Sequence, residues 1–227
     1  MKTILLTVII LTCMSCGKDK IIQLPEISHS EITAVMDVSA AYLFYDETQP
    51  DSVELNRRNL ISTTNWLINV DKRLTLKQVI PHIQFLQEKK RNSSHKNEHV
   101  RNYFTCHDLS QNNLGFIDFT NITYQESFKE NIASKILNTK DSLNIKAINF
   151  NLDGIIYILN PNTEPFVTES NKYQLIDDLK KGDSTGYILS FRFNKNLSFQ
   201  DYITYKSLIL DAEINHATIS NKEFLDN

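Results

Sequence analysis

Apolar residues recur at every second position in two distant stretches of the chain. Trp66, Ile68 and Val70 alternate with Leu67 and Asn69, and Leu189, Phe191 and Phe193 alternate with Ser190 and Arg192. Period two, carried by aromatic and branched side chains, predicts a strand in each. A polar turn follows both, then Leu74-Thr75 and Leu197-Ser198, so that residues 66–76 lie over residues 189–199 at an offset of 123. Thr75 with Gln78, and Ser198 with Asp201, have the spacing of a helix capping box. Leu74 and Leu197 precede the caps and are placed to staple against Val79 and Tyr202. Helical periodicity takes over from there, through Leu76, Val79, Ile80, Ile83 and Leu86 in one copy. In the other it runs through Phe199, Tyr202, Ile203, Ile209 and Leu210. Pro81 lies past the first turn and predicts a kink or a delayed start.

Short strand candidates follow the helices, at 102–107 and 216–220. Upstream, 32–45 and 145–159 are strand-rich, and Asp153-Gly154 suits a hairpin turn. Helical segments are expected at 53–62 and 171–180, the second opening near Ser170 and stopping at Gly182. Between the copies lie an apolar strand, 114–119, and a helix, 125–137, with Phe128, Ile132 and Ile136 on one face. Residues 139–144 read as a linker. The pattern predicts an α+β protein of two tandem β-α-β-α-β units, each a mixed sheet with helices on one face. The units span 26–123 and 145–227, with 124–144 as connecting helix and linker.

The N-terminus carries an address. Met1-Lys2 is a minimal positive segment, residues 4–11 are apolar, and Thr12-Cys13-Met14-Ser15-Cys16-Gly17 follow. At about 20 residues for a span, the run is too short to cross a membrane as a helix. It reads as a signal peptide over 1–15, with 16–25 as a tether. Cys16, between Ser15 and Gly17, resembles the acylated cysteine of a bacterial lipoprotein; Cys13, behind Ile10-Leu11-Thr12, is the rival site. The expected location is the cell envelope, with the protein held to a membrane by its N-terminal lipid and facing the periplasm or cell surface. Cys106 is then the one remaining thiol, so folding rests on the core rather than on an internal disulfide.

The repeated unit resembles the periplasmic domain of the ExbD/TolR family of energy-transducing envelope proteins. Asn69-Val70-Asp71-Lys72-Arg73-Leu74-Thr75 carries the resemblance, as a strand ending in an acid and leading into a helix; Asn194 replaces the acid in the second copy. The resemblance implies a domain that binds partner proteins or the cell wall, as in TonB-type biopolymer transport, and holds no catalytic site. Family members anchor through a transmembrane helix bearing a motor aspartate. Residues 3–11 contain no acid, which implies a lipid-anchored relative that kept the binding module.

Composition and chemistry narrow the rest. The chain has 227 residues, 22% charged and 41% hydrophobic, which fits globular domains. A net charge of −3 gives no bulk electrostatic reason to bind nucleic acid, and five glycines argue against Gly-rich phosphate loops. His95, His99, Cys106 and His107 are the nearest approach to a metal cluster, but the Glu98-His99 order is not the zincin motif and the segment reads as a solvated loop. Lys89, Lys90, Arg91, Lys96 and Arg101 form a basic patch suited to anionic lipid heads or wall carboxylates. His29, His82 and His216 stand alone. Trp66 reads as core, and no glycine pair brackets a serine as a nucleophile elbow. Asp177 and Asp178 point to different helix faces. The expectation is therefore a non-catalytic protein without cofactor or metal, bound to an envelope protein. The competing readings are an envelope hydrolase of wall or glycan material and a glycan- or small-ligand-binding lipoprotein.

Overall fold

The structure, a computed structural model, describes residues 20–95, 97–126, 145–160, 164–181, 186–212, 214 and 216–227. Cys13, Cys16 and most of the helix expected at 125–137 lie outside them. The described residues form an α+β fold of two six-stranded mixed sheets and three helices.

The first sheet takes β1 (Glu26–Ile27), β2 (Val38–Tyr45), β3 (Val53–Asn56), β4 (Asn65–Val70), β5 (Asn102–Asp108) and β6 (Asn113–Asp118). Helix α1 (Leu76–Arg91) joins β4 to β5. Central β4 runs parallel to β2 and β5, and β3 and β6 turn back antiparallel on the outside. Parallel neighbours need a long crossover, and α1 supplies it. The second sheet contains β7 (Thr123–Glu126), β8 (Ile145–Phe150), β9 (Ile156–Leu159), β10 (Val167–Ser170), β11 (Tyr187–Asn194) and β12 (Ala217–Asp226). Its order is β10-β9-β8-β11-β12-β7. Helix α2 (Leu175–Lys180) precedes β11, and α3 (Phe199–Leu210) links β11 to the parallel β12. Ile68 pairs with Ala41 across β2–β4, and Phe191 pairs with Ile148 across β8–β11.

The two strand–turn–helix segments meet. Thr75 and Ser198, the two N-caps, form an antiparallel bridge. The Leu76 amide donates to Leu197 O at 3.0 Å, and the Phe199 amide to Leu74 O at 2.6 Å. One residue further on, Lys77 N donates to Lys195 O at 2.7 Å and Gln200 N to Lys72 O at 3.2 Å. Every bond has its counterpart at the 123-residue offset. The first amides of a helix lack intrahelical acceptors; here each helix finds them in the other half's turn. The third position is closed locally in α3, where Ser198 Oγ accepts from the Asp201 amide at 3.1 Å. In α1, Gln78 Oε1 accepts from the Thr75 amide at 2.8 Å and from its hydroxyl at 2.9 Å.

One apolar cluster runs through both halves. Leu74, Leu76, Val79, Ile80 and Ile83 from the first are buried with Leu197, Phe199, Tyr202 and Ile203 from the second. Phe104 on β5 stacks on Phe119 and meets Phe199 edge-on at 5.2 Å. Strand β7 leaves the first half to lie along β12, and α1 covers it: Gln84 and Gln87 donate to Tyr124 O and Ile122 O at 3.0 and 2.9 Å. Gln200 of α3 returns the contact, its side chain accepting from Glu26 N and donating to Glu26 O on β1.

Several expectations need correction. Residues 53–62 are not a helix: Val53–Asn56 is β3, hairpinned onto β2, so the first half runs β-β-β-β-α-β-β. Cross-strand pairing there outweighs local preference. Helix α2 starts at Leu175, because residues up to Ser170 belong to β10; Asn171 Oδ1 accepts from the Tyr173 and Gln174 amides ahead of it. Gln125 and Glu126 belong to β7. Pro81 does not delay α1, which starts directly after Thr75 and runs on through Pro81 to Arg91. Pro81 and Lys77 both lie on the exposed face, so the Lys77 carbonyl left without a helical donor opens to water. Asp153-Gly154 does make the β8–β9 hairpin, with Gly154 at φ 81°.

Because the caps face each other, their energies are coupled. Thr75→Ala and Ser198→Ala should each cost about 1 kcal/mol. In a double-mutant cycle by urea unfolding, the pair should depart from additivity by about 0.5 kcal/mol or more. Strict additivity would mean that the helices are capped independently.

Candidate functional site

The β4–α1 turn concentrates the polar chemistry of the first half. Asp71, at the end of β4, is fully buried and accepts a two-pronged bond from Arg73, Nε to Oδ1 and Nη2 to Oδ2, both at 2.8 Å. It also accepts the Arg73 amide at 3.1 Å and the Gln23 amide at 3.2 Å. Burial pushes the carboxyl's pKa up, but the Arg73 and backbone donors together outweigh it and hold it below the ordinary value. The Arg73 guanidinium lies over the Tyr45 ring at 4.6 Å. Beside it, Lys72 Nζ bonds Glu26 at 2.7 Å. The arrangement ties the segment around Gln23 to the β4–α1 turn.

A second polar centre lies deep between β7, α3 and β12. The Tyr124 and Tyr202 hydroxyls are 3.1 Å apart, Tyr202 donates to Glu223 Oε2 at 2.7 Å, and Lys206 Nζ donates to Glu223 Oε1 at 2.5 Å. Glu223 is fully buried and Lys206 nearly so. Burial first, then the Glu223 charge, raises both tyrosine pKa values well above 10. The network fills polar needs inside an aromatic core and joins β7 to the second sheet. Sequence reasoning missed it. Its signal was Lys206, a charge standing between Ile203 and Ile209 on the apolar face of α3.

The residues weighed as chemistry scatter. His95 and His99 are exposed in the loop after α1, Cys106 is buried on β5, and His107 bonds Asn112 at 3.1 Å. Among the described residues no three His, Cys, Asp or Glu side chains stand close enough to share a metal ion. Burial pushes the Cys106 thiol far above its usual pKa, which leaves it unreactive. Trp66 is 2% exposed and donates its indole N–H to Ile61 O at 2.7 Å, so it offers no sugar platform. Asp178 bonds Ser170 and Lys181 while Asp177 faces solvent, and the two do not converge. His29 and His216 are exposed, and His82 is half-buried on α1, its pKa lowered by burial.

The basic patch divides. Lys90 turns inward over the Trp66 ring at 4.7 Å and donates to Asn102 Oδ1 at 2.7 Å; burial lowers its pKa to about 8. Arg101 pairs with Asp118 at 2.5 Å. Lys89 instead joins Arg57 and Arg58, which follow β3, around an open groove of about 520 Å³.

Among the described residues strand β3 pairs with β2 alone, β10 with β9 alone and β7 with β12 alone, so each presents an edge. Around β10, Phe166 is 57% exposed, Val167 50% and Tyr173 90%. Compared with family models, curated proteins and solved structures, the chain matches none. No helix among the described residues is long and apolar enough to cross a membrane.

Two tests follow from the charge centres. Truncating Lys206 to Met strands a buried carboxylate and should destabilise the fold by about 3–5 kcal/mol, whereas Lys206→Met with Glu223→Leu should recover most of that loss in urea unfolding. Asp71 has a lowered folded pKa, so its stabilisation is complete above the unfolded value near 4 and is lost as pH falls through the folded one. Arg73→Gln should therefore move the acid-unfolding midpoint, followed by circular dichroism, to higher pH. An unchanged midpoint would show that Asp71 draws nothing from Arg73.

Proposed function

We propose that this chain is a non-catalytic, lipid-anchored cell-envelope protein whose two related halves act as modules that bind an envelope protein. The modules are read as tandem β-α-β-α-β units of the ExbD/TolR type, the first having replaced a helix with strand β3, and the partner as a component of TonB-type transport. The signal-like residues 1–15 and Cys16 support the envelope location. The observation that carries the binding reading is the open edge at β10, flanked by exposed Phe166, Val167 and Tyr173. An unpaired strand offers main-chain donors and acceptors to an incoming strand, and alternate side chains supply specificity. Exposed edges are normally blunted by charge; β10 carries one, Glu169, beside the exposed apolar Val167.

Anchorage is tested by metabolic labelling with a fatty acid. Cys16→Ser should abolish incorporation and Cys13→Ser should leave it intact; the reverse pattern moves the anchor to Cys13. Binding is tested in intact cells with a photo-crosslinking residue at Val167. Recovery of a transport or wall component supports the reading, and a clean absence of adducts at β10 counts against it.

A further inference from the structure

Arg57 and Arg58 leave the end of β3, and Lys89 faces them from the last turn of α1 across the open groove, which Glu54, Leu55 and Asn56 also line. All three cations are exposed, and among the described residues none of them enters an ion pair. The Arg57 guanidinium lies over the Phe85 ring at 4.9 Å, which holds it at the surface. The one acid of the groove, Glu54, is paired with Lys20, which also reaches Asp46 at 2.8 Å. The groove is therefore net positive on an acidic protein.

Lys20 also fixes where the tether arrives, four residues after Cys16. Four extended residues reach at most roughly 14 Å. A lipid on Cys16 would bring Glu54 within that distance of the headgroups. Arg57 and Arg58 follow Glu54 within four residues and line the same groove. Basic side chains feel an anionic bilayer over a Debye length of about 8–10 Å, and one lipid plus a basic patch is a familiar two-part attachment.

We infer that the Arg57–Arg58–Lys89 groove docks on the anionic phospholipid headgroups of the membrane that holds the Cys16 lipid. The inference rests on the acylation reading for its geometry. Docking turns a loosely hung body into an oriented one, with the C-terminal end of α1 against the bilayer.

The test uses the chain purified from cell membranes and reconstituted into phosphatidylcholine vesicles with or without phosphatidylglycerol. Amide exchange over residues 53–60 and 85–91 should slow several-fold with phosphatidylglycerol alone. High salt should remove that protection, and so should the triple variant Arg57→Gln, Arg58→Gln, Lys89→Gln, while Lys172→Gln on the second half should retain it. Equal exchange in the two vesicles, or protection that survives high salt, overturns the proposal; the salt arm needs no variant to fold. Intact mass of the same sample reads the N-terminus separately. If it carries no lipid, the anchorage reading fails alone, and co-sedimentation of that chain judges the groove. A preference of about ten- to a hundred-fold for anionic vesicles, lost in the triple variant, sustains the groove, and no preference ends it.

Discussion

Four main-chain hydrogen bonds between residues 72–77 and 195–200 are the constraint from which the rest of the structure follows. They satisfy amides that no helix can satisfy for itself, and they do so reciprocally, so neither α1 nor α3 has a complete N-terminus without the other half. The bonds require the β4–α1 and β11–α3 turns to approach antiparallel, with Thr75 against Ser198. That approach sets the helices beside one another and merges the cores beneath them. Neither half buries its apolar face alone.

The exchange of edge pieces deepens the dependence. Strand β7, which follows the first half in sequence, completes the second sheet, and β1 is held by a glutamine of α3. Joining β7 to β12 brings Tyr124 to Tyr202 and closes a buried chain of hydroxyls on Glu223 and Lys206. A buried ion pair is weak evidence for net stability, because desolvation offsets attraction. It is stronger as a device of register: Glu223 finds Lys206 and Tyr202 together only when β12 sits where it does, past the bulge between Leu189 and Phe191.

Much of this was legible because it is local. The alternation at Trp66, Ile68 and Val70, the two capping signals and the apolar helix faces each occupy a dozen residues or fewer. What escaped was set by partners outside the segment itself. Val53–Asn56 reads as helix until β2 is available to pair with it. Strand β12 seemed to end at Ser220 because Asn221, Lys222 and Glu223 interrupt the apolar pattern; the strand continues because Lys206 receives the buried carboxylate. The basic patch was half legible: Lys89 was counted, but Lys90 and Arg101 turn to internal partners, and Arg57 and Arg58 join from across the hairpin.

The acid that marks the first copy, Asp71, and its counterpart Asn194 show what the repeated turn requires. Asp71 Oδ1 accepts the Arg73 amide at 3.1 Å, and Asn194 Oδ1 accepts the Asn196 amide at 2.9 Å. Leu74 N donates to Asp71 O at 3.1 Å, and Leu197 N to Asn194 O at 3.0 Å. The shared task is a side-chain oxygen that folds the chain back two residues later, which either residue performs. Charge is an addition made once. In the first half it recruits Arg73 and the Gln23 amide, and so draws the segment around Gln23 against the body. At the equivalent position of the second half, Lys195 N donates to Asp226 O on the neighbouring β12 at 2.8 Å, as Lys72 N donates to Gln23 O at 2.7 Å in the first. The carboxylate thus belongs to the turn that holds the segment around Gln23, and the turn itself needs no proton chemistry.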